Sequence, residues 1–138
     1  MSRRDLFHDI VRQALRNDGW RITHDPLRFN VGDYKIAIDL GAESTIAAER
    51  NEQKIAVEIK SFASDSTISE FHMAMGQFIT YRFTLRLAEP ERELYLAIPS
   101  TAYQDFFQRP LVQKLWQEQS LKLLVYNTQP PSIDQWIN

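Results

Sequence analysis

Glu58 and Lys60 stand one residue apart in an otherwise apolar stretch, Lys54-Ile-Ala-Val-Glu-Ile-Lys60. In an extended strand that spacing puts a carboxylate and an ammonium side by side on one face. Charge on a half-buried strand face needs a partner or a use, because desolvating an unpaired ion is costly. Asp39 ends a second apolar run, Tyr34-Lys-Ile-Ala-Ile-Asp39, with 18 residues between it and Glu58. Two carboxylates on neighbouring strands suit Mg²⁺, a hard ion that prefers oxygen, and the backbone carbonyl of Ile59 adds a further oxygen. A lysine beside them can orient or deprotonate an attacking water and stabilise the charge that builds on a phosphoryl group. Glu43 competes with Asp39 for the role of first acid, since strand ends read from sequence are uncertain by about 2–4 residues. Asp39 is the preferred one of the two.

The elements that must carry these residues follow from periodicity. Leu6, Ile10 and Ala14 with Phe7, Val11 and Leu15 repeat at helical spacing, predicting a helix over 3–17 with Ser2 and Asp5 as a capping box and Gly19 as its stop. Trp20-Arg-Ile-Thr23 reads as a short strand, broken by Asp25-Pro26. Period two then governs 34–60: Tyr34, Ile36, Ile38 and Leu40 share a face, Thr45–Arg50 forms a second strand, and Ile55, Val57 and Ile59 enter the core from a third. This predicts an antiparallel meander. Helical spacing returns over 67–87, with Thr67 and Glu70 as a capping box. A fourth strand, Glu93–Pro99, follows as after a crossover connection; short helices near 100–108 and 110–119 and a strand Leu121–Tyr126 complete the order. The tail residues Ile133, Trp136 and Ile137 either fold back on the core or dock another subunit. The expected architecture is one domain over 1–138, an α/β fold with a single mixed sheet flanked by helices.

Composition narrows the chemistry. With 138 residues, 43% of them hydrophobic, the chain can bury a core without disulfides or structural zinc. The absence of cysteine excludes thiol chemistry and Cys-ligated metals. His8, His24 and His72 have no ligand spacing, and there is neither a glycine-rich phosphate loop nor a Gly-x-Ser-x-Gly. Met73 and Met75 read as gap fillers. No apolar run approaches a membrane span and no signal peptide is legible, so a cytoplasmic location is expected. The net charge of -2 argues against nucleic acid, yet it is unevenly placed: residues 1–35 carry seven Lys/Arg against five acids, and 36–138 carry nine against thirteen. Arg3, Arg4, Arg12 and Arg16 give the first helix a face that suits either phosphates or solvent.

The pattern Asp39, spacer, Glu58-x-Lys60 resembles the PD-(D/E)XK nuclease superfamily, whose restriction-endonuclease-like core runs α-β-β-β-α-β. Gln77-Phe-Ile-Thr-Tyr81 is similar to the Gln-x-x-x-Tyr motif of its RecB-like branch; at i, i+4 the two side chains share a helix face. Ile38 stands where the motif usually has proline, and the acid that some members carry on the first helix has Asp5 and Asp9 as candidates, with His8 adjoining. Glu58-x-Lys60 alone occurs on many solvated strands as an ion pair worth less than about 1 kcal/mol. Its combination with Asp39, Gln77 and Tyr81 in the right elements is what points to a site.

A closer resemblance spans nearly the whole chain. Asp5-Leu-Phe-His-Asp9, Gly19-Trp20, Thr23-His-Asp-Pro-Leu27, Ile38-Asp-Leu-Gly-Ala-Glu43, Lys54–Phe62 and Leu94–Pro99 are similar to the XisH family, named as excision-controlling factors of the fdxN element of cyanobacteria. The resemblance implies a role in DNA rearrangement beside a site-specific recombinase and a small XisI-type partner. Together the two resemblances imply a Mg²⁺- or Mn²⁺-dependent endonuclease with Asp39, Glu58, Lys60, Gln77 and Tyr81 in its site, acting on DNA and cutting both strands as a homodimer. The rival expectation is a non-cutting accessory factor that binds DNA or the recombinase or XisI-type partner.

Overall fold

The computed structural model describes residues 3–46 and 51–138. Helix α1 (Arg3–Asn17) is followed by β1 (Arg21–His24), β2 (Leu27–Val31), β3 (Tyr34–Ile38), β4 (Leu40–Ile46) and β5 (Asn51–Ile59). The long α2 (Thr67–Ala88) then leads to β6 (Arg92–Pro99), α3 (Ser100–Gln104), a 3₁₀ turn at Phe106–Gln108, α4 (Pro110–Glu118), β7 (Leu123–Thr128) and β8 (Pro131–Ile137). The described residues form one six-stranded mixed sheet, ordered β1-β4-β5-β6-β7-β8, with β2 and β3 making a separate two-stranded ribbon. β5–β6 and β6–β7 are parallel, and the other pairs are antiparallel. The expected architecture of a mixed sheet flanked by helices is what the chain adopts.

Alternation along the strands builds a core on each face of the sheet. Val11 and Leu15 of α1 pack with Leu40, Ala42, Ile55, Val57, Tyr95, Leu124 and Tyr126. On the other face Phe71, Ala74, Phe78 and Leu85 of α2 pack with Ile38, Ala56, Leu94, Leu96, Ile98, Leu123 and Val125. Burial on both faces explains why β6 reads as a continuous apolar run, Leu94–Pro99. Gly41 is held to hydrogen by close approach: a Cβ there would meet His24 Cβ and Nδ1 at 3.1 Å and Arg92 Nη1 at 3.3 Å.

The structure corrects the sequence reading where strand pairing overrides periodicity. Tyr34 to Leu40 is not one strand. β3 pairs with β2 in the ribbon, the chain bends at Asp39, and β4 begins in the main sheet. Ile38 and Leu40, read as sharing a face, consequently enter opposite cores. β2 was not expected, and the meander of the main sheet is β1-β4-β5. The second strand, read as Thr45–Arg50, starts instead at Leu40; residues 47–50 lie outside the described residues, as does Ser2 of the expected first cap. The cap of α2 is Ser66, whose hydroxyl accepts from the Ser69 amide at 3.4 Å, rather than Thr67. Glu70 instead accepts from the Phe62 amide at 2.5 Å. The helix expected at 100–108 breaks into α3 and the 3₁₀ turn, and the last core strand lies two residues later than read. The tail folds back as β8, where Trp136 packs 4.9 Å from the Tyr95 ring and 5.6 Å from that of Trp20.

Candidate functional site

Where β5 ends, the sheet changes from antiparallel to parallel pairing, and the carboxyl ends of strands in such sheets are where open α/β folds bind ligands. Glu58 lies on the α2 side of β5, two residues after Ala56, and is 6% exposed. Asp39 reaches it from the bend between β3 and β4. The Asp39 amide donates to Glu58 Oε1 at 3.2 Å, and the Ile59 amide donates to Asp39 Oδ2 at 2.8 Å. The N–H and C=O of a strand residue leave the same edge, so the Ile59 carbonyl faces the Asp39 side as well. Lys60 Nζ stands 3.7 Å from Glu58 Oε2, with its side chain mostly buried.

A cleft of about 670 Å³ opens over this cluster, and Asp39, Glu58, Ile59, Lys60, Gln77 and Tyr81 all line it. Gln77 and Tyr81 come from α2, one turn apart on the face turned to the sheet. The Gln77 Oε1 is buried without a hydrogen-bond partner among the described residues. Buried polar atoms are normally paired, so this carbonyl oxygen suits a hydrogen-bond donor such as water in the cleft.

Electrostatics mark the same place. Burial, then the neighbouring Asp39 charge, push the Glu58 carboxyl up to about 8, against the opposing pull of Lys60. The Tyr81 phenol is raised by burial and by the charges of Glu58 and Asp39, which keeps it a hydrogen-bond donor at neutral pH. Two acids forced together, with one held protonated, form an arrangement that a divalent cation would relieve. Among the described residues no group of three or more His, Cys, Asp or Glu side chains could hold a metal. The donor set is therefore two carboxylates and main chain, which fits Mg²⁺, commonly bound by one or two carboxylates with water and substrate phosphates.

The other candidates separate. Glu43 does not line the cleft. It lies opposite Lys54 on β5, with Arg21 Nη2 at 3.1 Å and Arg92 Nη2 at 3.6 Å, and a hydrogen bond with Glu52 and the charges of Lys54, Arg92 and Arg21 lower its pKa. The side chains of Asp5, Arg3 and Arg4 lie outside the described residues, and Asp9 is exposed away from the cleft. His8 does line it: its Nε2 is 2.7 Å from Asp25 Oδ1, and Asp25 also pairs with Arg12. Met75 packs on the core, whereas Met73 is 60% exposed at the cleft wall. Sequence reasoning missed Ala37 and Glu70 as cleft residues and Asp25 as the partner of His8 at the cleft. Only Glu70 had a legible signal, as an acid in the first turn of α2.

A mixed sheet flanked by helices, with two acids, a lysine and a helix-borne Gln/Tyr pair gathered at one strand end, defines the class: an α/β protein with an acidic, lysine-flanked cleft. The family described as XisH protein matches residues 1–134, and the chain belongs to that family. The crystal structure of an fdxN element excision controlling factor protein from Anabaena variabilis is 49% identical to it, with a TM-score of 0.89 over 97% of this chain and 99% of that one. An XisH family protein from Nostoc punctiforme PCC 73102 is 47% identical, with a TM-score of 0.88 over 97% of this chain and 100% of that one. No curated protein matches the chain. Among the described residues no helix is long and apolar enough to cross a membrane.

Proposed function

We propose that this protein hydrolyses DNA phosphodiesters with Mg²⁺ or Mn²⁺ held by Asp39, Glu58 and the Ile59 carbonyl, and that it acts in the excision of a DNA element. The carrying observation is the cross-bonded pair of Asp39, from the bend before β4, and Glu58, from β5, with Lys60 3.7 Å from Glu58 and an open cleft above. The resemblance of Asp39…Glu58-x-Lys60 and Gln77-x-x-x-Tyr81 to PD-(D/E)XK nucleases supports the reaction. The excision role is supported by the relative from Anabaena variabilis.

When bound, the cation supplies charge neutralisation on the phosphoryl oxygens and makes water a better nucleophile at neutral pH. Asp39 and Glu58 are held in place by main-chain amides, so they need little reorganisation to act as ligands. Lys60 puts a fixed positive charge where negative charge builds during attack, and its ammonium orients water in the cleft. The Gln77 carbonyl oxygen accepts from water in the cleft, and the protonated Tyr81 phenol donates to a phosphate oxygen. One such site faces one phosphate, so cutting both strands calls for two copies of the chain.

One observation favours the second reading, an accessory factor that binds DNA, a recombinase or an XisI-type partner without cutting. The same two bonds tie β5 to the Asp39 bend and would be worth keeping as structure. Wild type, Glu58→Ala and Lys60→Ala incubated with supercoiled and linear DNA and Mg²⁺ or Mn²⁺ discriminate the two. Hydrolysis by wild type and a loss of about 10²-fold or more in each variant are expected. Cutting that survives both substitutions removes this mechanism. An uncut substrate, no cation heat by calorimetry and a partner complex indifferent to Lys60→Ala establish the accessory role.

A further inference from the structure

The ribbon of β2 and β3 is set beside the cleft, and the chemistry just described makes no use of it. Its register pairs Leu27 with Ile38, Arg28 with Ala37, Phe29 with Ile36, Asn30 with Lys35 and Val31 with Tyr34. Alternation therefore gives it two unlike faces. Leu27, Phe29, Ile36 and Ile38 turn to the α2-side core. Arg28, Asn30, Lys35 and Ala37 share the solvated face, and Ala37 also lines the cleft that holds Asp39 and Glu58. The polar face of the ribbon and the cleft wall are thus one continuous surface.

We propose that this ribbon is a duplex-DNA-binding surface, its Arg28, Asn30 and Lys35 face lying along a groove. The choice of DNA as occupant rests on the hydrolase reading; the choice of this surface rests on charge and shape. Arg28 and Lys35 are exposed, and among the described residues neither has an ion-pair partner, whereas carboxylates hold Arg12, Arg21 and Arg92. The ribbon's single acid, Asp33, sits in the turn, at the end away from Ala37. Gly32, at φ 58, closes that turn in two residues and keeps the tip narrow. At the tip Tyr34 is 76% exposed and Val31 36%; as a register pair they follow the alternation onto the face opposite Arg28, Asn30 and Lys35, which leaves the basic face free of bulky apolar side chains. A two-stranded ribbon fits the B-DNA major groove, about 12 Å wide, and five residues per strand span roughly 16 Å of it.

The test is fluorescence anisotropy of a labelled duplex and of a single strand of equal length, titrated in EDTA with the full chain across a range of salt. Arg28→Ala/Lys35→Ala is expected to weaken duplex binding about tenfold or more and to lower the slope of log K against log salt by about two. Tyr34→Ala, on the opposite face of the ribbon, and Lys114→Ala, on α4, should both match wild type. All four positions are exposed, and circular dichroism checks that each variant folds. The proposal is overturned by an unchanged affinity and slope in the double variant, by no duplex binding in wild type, or by preference for the single strand. A parallel incubation with Mg²⁺ separates the two readings. Wild type that binds through the ribbon yet leaves DNA uncut sinks the hydrolase and keeps the surface. Cutting by wild type, matched by the double variant in both binding and cutting, does the reverse.

Discussion

Glu58 is the residue on which the site turns. Its carboxyl is raised from an ordinary value of 4.5 to about 8, chiefly by burial and then by Asp39. Between those two values the folded chain binds more protons than the unfolded one, so stability falls as pH rises from about 4.5 to about 8 and stays low above. Glu58→Gln keeps the shape without the charge, and it should flatten that fall, gaining on wild type by on the order of 4 kcal/mol near pH 9. Millimolar Mg²⁺ should return most of the difference to wild type alone, because a cation favours the ionised carboxylate. Urea unfolding across the pH range, with and without Mg²⁺, measures both effects; parallel curves for the two proteins would show that Glu58 does not titrate as described. Its identity as a candidate was legible from a single spacing, Glu58-x-Lys60 inside an apolar strand. Its protonation was not, because desolvation depends on α2 and Asp39 closing over it.

At the level of elements, the connection between β5 and α2 decides where Lys60 points. Phe62 sits in the left-handed region at φ 52, with its ring 5.0 Å from that of Phe107 and 5.8 Å from that of Phe106. Its amide donates to Glu70. Glu70→Ala would leave that amide unpaired beside a buried ring, and a loss of about 1–3 kcal/mol in stability is expected by urea denaturation. If cutting is observed, its rate should fall as well, since Lys60 lies two residues away; a variant with wild-type midpoint and rate would show that the bond positions nothing. α1 and β6 were legible because α1 keeps a helical apolar period and β6 is largely apolar; α2 is apolar on more than one side, with Ile68 and Ile79, read as core spacing, exposed. β2 was not legible. Leu27-Arg-Phe-Asn-Val31 is short and follows Asp25-Pro26, and only pairing with Tyr34–Ile38 makes it a strand. The bend at Asp39 was hidden for a related reason: the alternation of Ile36, Ile38 and Leu40 runs through it unbroken, although the chain changes sheets there.

Over the whole molecule the question is how a chain of net charge -2 meets a polyanion. Asp39 lies on the wall that continues into the ribbon, joined by Glu58 once its raised carboxyl ionises, so their charge opposes DNA until a cation or a substitution cancels it. Asp39→Asn/Glu58→Gln should therefore bind a duplex several-fold more tightly than wild type in EDTA, with the gap closing in Mg²⁺; equal affinities in EDTA would mean that DNA lies elsewhere. What the amino-acid sequence by itself determined was the class of fold, the family and the residue types of the site, because periodicity and short motifs are local properties written along the chain. The tertiary structure decided what distance along the chain conceals. It brought Asp39 rather than Glu43 beside Glu58, since a bend delivers one to that strand end while Arg21 and Arg92 hold the other. It brought His8, Ala37 and Glu70 to the same cleft from separate elements, and of the two readings of the tail it folds Ile133–Ile137 back as the edge strand of the sheet. Each of these outcomes depends on which surfaces pack together, and packing is a property of the closed chain.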